Sequence, residues 1–262
     1  MSAIAIQSSA VAYNRVPKVT VDFWLVKLMA VTVGETAADY LSVHLGLGLP
    51  ATSLIMAGFL VAALLLQFAQ RKYMPLPYWL AVVMISVVGT LISDYLADNL
   101  GIPLQTTIIA FGVALVATFA VWYAYERTLS IHTIYTTRRE AFYWLAILFT
   151  FALGTSAGDL VAEGLGLGYL QAGFAYAAVI AVIAVAYFGL QLNGVLAFWL
   201  AYILTRPMGA CFGDYLAQPH ANGGLGLGTT ITSLVFLGCI VAIIVYMSLT
   251  KEGLERVEGR DS

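Results

Sequence analysis

The stretch "DFWLVKLMAVTVGETAADYL", residues 22–41, decides the fold, because three of its residues recur at fixed distances along the chain. Trp24 follows an aromatic residue, Gly34 comes ten residues after the tryptophan, and Asp39 comes fifteen residues after it. The later copies contain Trp79, Gly89 and Asp94; Trp144, Gly154 and Asp159; and Trp199, Gly209 and Asp214. A fixed period of this kind is typical of an internal repeat, so the sequence predicts four tandem copies of one structural unit.

The composition indicates an integral membrane protein. Of the 262 residues, 61% are apolar and only 10% are charged, and the mean hydropathy is +0.90. These values lie far outside the range of soluble globular domains. The chain has no phosphate-binding glycine loop, no HExxH helix and no basic patch for nucleic acid. We therefore expect the lipid bilayer, and no nucleic acid, as a partner.

Eight apolar segments are about long enough to cross a bilayer, which takes about 20 residues. They lie near 21–42, 50–69, 77–97, 103–125, 141–162, 168–190, 194–216 and 226–249. The predicted fold class is therefore an all-α integral membrane protein with two transmembrane helices per repeat. Because each repeat contains two crossings, the four helical hairpins would be parallel to one another in the membrane.

Basic residues predict the orientation of these helices. All but two of the 12 lysines and arginines lie in the termini or in every second connection, so both termini should be cytoplasmic. The extra residues between the second and third repeats suggest two halves, 19–126 and 141–250, joined by a cytoplasmic linker, 127–140. Residues 1–18 are expected to form a mobile tail. Residues 251–262 are expected to form a solvated cytoplasmic tail that continues the last helix.

The four copies of the quoted stretch give the chain a resemblance to a known family. It resembles bacterial integral membrane proteins built from four tandem two-helix repeats with a tryptophan in each, over roughly residues 17–250. The resemblance implies the four-repeat architecture and a multi-pass location in the bacterial inner membrane. It implies nothing about a substrate, which must be inferred from the residues.

The repeat spacing places polar residues at common depths. Fifteen helical residues rise about 22 Å, so tryptophans anchored in the cytoplasmic interface would put the four aspartates near the outer surface. One turn deeper on the same helix faces lie Glu35, Thr90 and Thr155. Towards the outside, Asp98, Glu163, His44 and His220 would form an acidic vestibule. The oligomeric state is left open by these patterns.

Two cations and a set of glycines complete the predicted site. Lys27 and Arg206 lie inside membrane segments, where a charge is expensive unless it is paired, so either could pair with Glu35. The repeat glycines, together with small residues four positions later, predict close helix packing. These glycines are Gly34, Gly89, Gly154, Gly209, Gly158 and Gly213.

The stripe of carboxylates predicts a site for a hard cation, because oxygen ligands suit magnesium, calcium, manganese or a proton. The predicted ligands are Asp39, Asp94, Asp159, Asp214 and Glu35. We expect a secondary transporter rather than an enzyme, without a resident cofactor, that exports manganese or magnesium against protons. Three alternatives stay open: a cation or proton channel, a membrane scaffold whose aspartates cap neighbouring helices, and, more weakly, an intramembrane aspartyl protease.

Overall fold

The structure is a computed structural model that describes residues 12–250 and 254–257. It contains eight long helices, which confirms the predicted all-α class. They are α1 (Val21–Asp39), α2 (Gly48–Phe68), α3 (Pro75–Asp94), α4 (Leu104–Glu126), α5 (Thr137–Asp159), α6 (Tyr169–Leu190), α7 (Gly194–Ala217) and α8 (Thr229–Thr250). A two-residue strand, β1 (Ala12–Tyr13), pairs antiparallel with β2 (Arg256–Val257).

Seven of these helices are long and apolar enough to cross a membrane, so the chain is a multi-pass membrane protein. The exception is α1, because Asp22, Lys27, Glu35 and Asp39 make it too rich in charge. Its charged side chains at positions 27 and 35 are buried against other helices. The protein interior, rather than lipid, therefore surrounds the polar part of α1.

The first helices of the four repeats form an inner ring. Helix α1 packs against α3, α3 against α5, and α5 against α7, and α7 returns to pack against α1. The second helices of the repeats are mostly exposed on the outside. Each of them packs mainly on the inner helix of the following repeat: α2 on α3, α4 on α5, α6 on α7, and α8 on α1. The ring is therefore closed by the last repeat meeting the first.

Glycines allow the inner helices to approach one another closely. A Cβ atom on Gly34 would overlap Ser86, and one on Gly89 would overlap Phe151. In the same way, Gly154 faces Arg206 and Gly209 faces Val31. Each repeat glycine thus abuts the inner helix of the next repeat, and Gly209 closes the cycle. A Cβ atom on Gly158 would lie at an ordinary contact distance from Pro207, whereas one on Gly213 would be crowded by Thr32 at 3.3 Å.

The repeat tryptophans lie in a buried aromatic layer at one end of the ring, which we call the base. The prediction that they are interfacial anchors is wrong for Trp79, Trp144 and Trp199, because all three are buried. The aromatic residue before each tryptophan contacts the tryptophan of the next repeat. The ring centroids lie 5.7 Å apart for Phe23 and Trp79, 5.4 Å for Tyr78 and Trp144, 6.2 Å for Tyr143 and Trp199, and 5.8 Å for Phe198 and Trp24.

Three of the four repeat tryptophans have an acceptor for the indole N–H inside the protein, as buried indoles usually do. Trp79 donates to the Tyr73 hydroxyl at 3.1 Å, Trp144 to the Glu140 carboxylate at 3.4 Å, and Trp199 to the Leu129 carbonyl at 3.0 Å. Burial raises the pKa of the Tyr73 phenol, so this residue stays a neutral hydroxyl. The layer is therefore a packed closure of the base, although the Trp122 indole and the Tyr202 hydroxyl are buried there without a hydrogen-bond partner among the described residues.

The segment before α1 is folded under the base. Asn14 is fully buried, and its side chain donates to the Ile131 carbonyl at 2.8 Å and accepts from the Ile134 N–H at 3.0 Å. Arg15 pairs with buried Glu140 at 2.7 Å. The prediction of a mobile tail is therefore wrong for residues 12–18, and residues 1–11 lie outside the described part. Pairing of β1 with β2 also shows that residues 254–257 do not continue α8.

We predict that Gly89→Ala destabilises the protein and that Gly112→Ala does not. A methyl group at Gly89 would meet Phe151 and the backbone of α5, whereas nothing lies within 4 Å of a Cβ at Gly112 on α4. Overpacking of a close contact costs about 1–3 kcal/mol, while glycine to alanine in an unobstructed helix gains up to about 1 kcal/mol. Thermal unfolding of both variants in the same detergent tests this. Equal shifts in melting temperature would contradict it.

Candidate cation site at the mouth of the ring

The repeat aspartates lie at the end of the ring opposite the base, which we call the mouth. Asp39, Asp94 and Asp159 are each the last α-helical residue before a π-helical turn. These turns are Tyr40–His44, Tyr95–Asn99 and Leu160–Gly164. In the fourth repeat α7 continues as an α-helix past Asp214 to Ala217. Single π-helical turns are frequent at functional sites. Here one such turn directly follows each of three of the four aspartates.

Three carboxylates from three different repeats meet inside the mouth. One oxygen each from Glu35, Asp159 and Asp214 lies within 4.8 Å of the other two. Oxygen ligands lie about 2.0–2.6 Å from a bound magnesium or calcium ion, so two ligands of one ion are separated by no more than about 5 Å. The three oxygens are therefore close enough to share one cation. Glu35 and Asp214 are buried, and Asp159 is half-buried.

Arg206 lies directly beside this carboxylate group and contacts all three other repeats. Its Nη2 atom lies 2.8 Å from a Glu35 carboxylate oxygen, 2.5 Å from the Thr90 hydroxyl and 2.6 Å from the Thr155 hydroxyl. Of the two pairings considered for Glu35, the structure contains the one with Arg206. The side chain is fully buried, and its Nε and Nη1 atoms have no hydrogen-bond acceptor among the described residues.

Lys27 lies closer to the base than Arg206 and does not pair with a carboxylate among the described residues. Its Nζ atom donates to the Tyr202 carbonyl at 2.8 Å and to the Thr205 hydroxyl. It also lies 4.3 Å from the centroid of the Tyr202 ring and 5.6 Å from that of Phe151. The ammonium group is thus held by a carbonyl, a hydroxyl and two aromatic faces.

The other two repeat aspartates are outside the three-carboxylate group. Asp39 and Asp94 are half-buried. Asp39 lines a cavity of about 640 Å³ at the mouth, together with His44 and His220. His44 stacks on Tyr40 at 5.7 Å, and the Nδ1 atom of His220 lies 2.9 Å from the Gly224 carbonyl. The imidazoles therefore border the same cavity as the Asp39 carboxylate.

Asp98 and Glu163 are both exposed at the mouth. Glu163 accepts a hydrogen bond from the Tyr169 hydroxyl at 2.7 Å. Their position, in the π-helical turns that follow Asp94 and Asp159, puts two further carboxylates on the approach to the buried group. A cation at this surface would meet negative charge before it reached Asp159.

Three residues of the site were missed by the sequence interpretation. Thr205 and Tyr202 hold Lys27, and Phe151 lies with its ring 5.5 Å from the Arg206 guanidinium. The repeat offsets contained a signal for Phe151, because it occupies the position equivalent to Arg206 one repeat earlier. Nothing in its residue type distinguished it from the other apolar residues of the helix.

Comparison with known proteins supports the repeat architecture. The family model described as "Repeat of Unknown Function (DUF347)" matches residues 23–73, 77–128, 142–192 and 197–252. The chain belongs to this repeat family. The four matches begin at or next to the aromatic pair of each repeat, so the family repeat is the unit of one inner and one outer helix. No curated protein matches the chain, and no solved structure matches it.

We predict that Arg206→Gln alone strongly destabilises the protein. Adding Glu35→Gln to this variant should partly restore its stability. Removing one partner of a buried ion pair leaves the other charge uncompensated and typically costs about 3–5 kcal/mol. The double variant leaves two neutral side chains, so its loss should be smaller than the sum of the single losses. Unfolding of the four proteins in one detergent measures this coupling.

Arg138→Gln is the matched control for the arginine change. Arg138 pairs with Glu126 at 2.5 Å, but its side chain is 63% exposed. Exposed ion pairs contribute about 0–1 kcal/mol, so this variant should unfold close to the wild type. If the losses in the free energy of unfolding caused by Arg206→Gln and Glu35→Gln simply add in the double variant, the two residues are not energetically coupled, and the prediction is contradicted.

Proposed function

We propose that the protein transports a hard divalent cation, such as manganese or magnesium, across the bacterial inner membrane. The observation that carries this proposal is the meeting of the Glu35, Asp159 and Asp214 carboxylate oxygens within 4.8 Å in a membrane-embedded ring. Ionisable residues inside membrane segments are costly, and they mark ion pathways or substrate sites in many membrane proteins. Three of them from three different repeats are more than helix capping requires.

The donor set favours a hard cation over copper or zinc. The three meeting groups are carboxylates, and the hydroxyls of Thr90 and Thr155 lie at Arg206 directly beside them. Oxygen donors suit magnesium, calcium and manganese, whereas softer metals favour thiolates or imidazoles. Three ionised carboxylates opposite one guanidinium would also leave two negative charges, which a divalent ion would neutralise.

The burial pattern supports a gated carrier over an open channel. At the mouth Asp98 and Glu163 are exposed, and Asp39, Asp94 and Asp159 are half-buried. Behind them Arg206 and Phe151 are fully buried, followed by the packed aromatic layer. Asp159 and the outer carboxylates are thus accessible from one end, while Glu35 and Asp214 are buried and the other end is closed. This arrangement fits one state of an alternating-access cycle, with the base on the cytoplasmic side.

Arg206 supplies a way to couple cation binding to this closure. In the present state its guanidinium pairs with Glu35, which is also one of the three carboxylates of the cation site. A bound divalent ion would compete with Arg206 for the Glu35 oxygen, and protons would compete with the ion for all three carboxylates. The shared carboxylate therefore supports a proposed exchange of a metal ion for protons, and we propose export as the direction.

The first experiment is to measure the elemental content of bacterial cells that express the wild type or single Asp→Asn variants at matched levels. We expect one element, manganese or magnesium, to change with the wild type and to return to the vector level with Asp159→Asn and Asp214→Asn. Asparagine keeps the shape of the side chain but removes the charge that binds the cation. Asp39→Asn and Asp94→Asn should give weaker effects, because these residues are outside the three-carboxylate group.

Asp22→Asn is the matched control, because Asp22 lies in the first turn of α1 at the opposite end of the helix from Asp39. It should transport like the wild type. An unchanged content of every element in wild-type cells would overturn the metal proposal. Wild-type transport by Asp159→Asn and Asp214→Asn would leave these residues with a capping or packing role only.

A further inference from the structure

A long apolar groove opens on the outer surface of the bundle, away from the cation site. It lies between α1, α6 and α7, next to the loop that contains Leu129 and His132, and has a volume of about 910 Å³. Its walls are largely apolar and include Trp24, Leu28, Ile183, Phe198 and Met208. The groove follows the seam where α7 meets α1, the contact that closes the inner ring.

The groove runs along the helices. Its lining on α7 extends from Gly194 to Met208, and fourteen helical residues rise about 21 Å. One leaflet of a bilayer has a hydrocarbon thickness of about 15 Å, half of the full core. A groove of this length and direction therefore matches an extended acyl chain together with the start of its headgroup.

The polar residues of the groove are concentrated at its base end. Lys18, Ser130, His132 and Asn193 line this end, and no carboxylate is among the described lining residues. His132 is already paired with Glu255 at 3.0 Å. Lys18 is exposed and is in none of the ion pairs found in the described part of the chain. The groove thus has an uncompensated cation at its polar end.

We propose that this groove is a specific site for an anionic phospholipid, with an acyl chain along α6 and α7 and the phosphate beside Lys18. Basic residues beside a cleft between membrane helices are typical of sites for anionic headgroups. An apolar channel with one positively charged end is complementary to an amphiphile with one negatively charged end. The bound chain would also cover Thr205, which lines the groove and holds Lys27 from the other side.

The test uses the full chain in nanodiscs that contain equal amounts of phosphatidylglycerol and phosphatidylcholine. After transfer to a mild detergent, native mass spectrometry measures how much of each lipid stays bound. We expect the wild type to retain phosphatidylglycerol preferentially. Lys18→Gln should lower the ratio of retained phosphatidylglycerol to phosphatidylcholine about fivefold, the effect of one basic residue on an anionic lipid.

A second test variant, Ile183→Trp, and two controls, Lys72→Gln and Val182→Trp, separate a specific site from general lipid adhesion. Lys72→Gln removes an equally exposed lysine that does not line the groove, so the lipid ratio should stay at the wild-type value. Ile183→Trp fills the groove from the outer helix α6 and should abolish retention of both lipids. Val182→Trp places the same residue on an exposed neighbouring position outside the groove and should leave retention unchanged.

Equal lipid ratios for Lys18→Gln and Lys72→Gln would overturn the proposal, as would undiminished retention by Ile183→Trp. A dimer mass that disappears with Ile183→Trp would instead identify a second copy of the chain as the occupant, and would also overturn it. The melting temperature of each variant in detergent without added lipid shows whether the fold is intact, and we expect all four to melt close to the wild type.

Discussion

A single guanidinium nitrogen joins the four repeats at the centre of the ring. The Nη2 atom of Arg206 comes from the fourth repeat and contacts Glu35 of the first, Thr90 of the second and Thr155 of the third. A buried cation can be tolerated only where polar partners surround it, so the other three inner helices must meet at this level. The close helix approaches at the repeat glycines make this possible, and the carboxylates that flank Glu35 lie on the mouth side of the same contact.

The repeats share a scaffold but differ in their charges. The glycine contacts and the aromatic pairs follow one rule, in which a residue of one repeat packs on the next repeat and the fourth returns to the first. The charged groups do not follow it: Arg206 occupies a position where the other repeats have Val31, Ser86 and Phe151. The near-symmetric contacts therefore build the ring, and the positions that break the symmetry place its buried charges.

The sequence predicted the helices, the family and the common position of the four aspartates near one end of the inner helices, because all three depend on periodicity within one chain segment. It did not predict which carboxylates meet. Asp159 and Asp214 join Glu35, while Asp39 and Asp94 do not, although the four aspartates occupy one repeat position. This selection depends on side-chain directions across the ring, which spacing along a helix does not specify. The tryptophans were misplaced for a related reason, since hydropathy alone does not distinguish a membrane interface from a buried layer between inner helices.

The packing of α8 on α1 has a consequence for how the chain is made. Ribosomes deliver α1 to the membrane first, yet Arg206, the partner of its buried Glu35, follows 171 residues later. Until α7 and α8 arrive, α1, which is outside the set of seven candidate membrane spans, lacks the contacts that shield its charged side chains from lipid. We therefore expect this helix to leave the translocation machinery only when synthesis is nearly complete. Truncation near the C-terminus should consequently impair insertion of the N-terminal helix, the part of the molecule most distant from it in sequence.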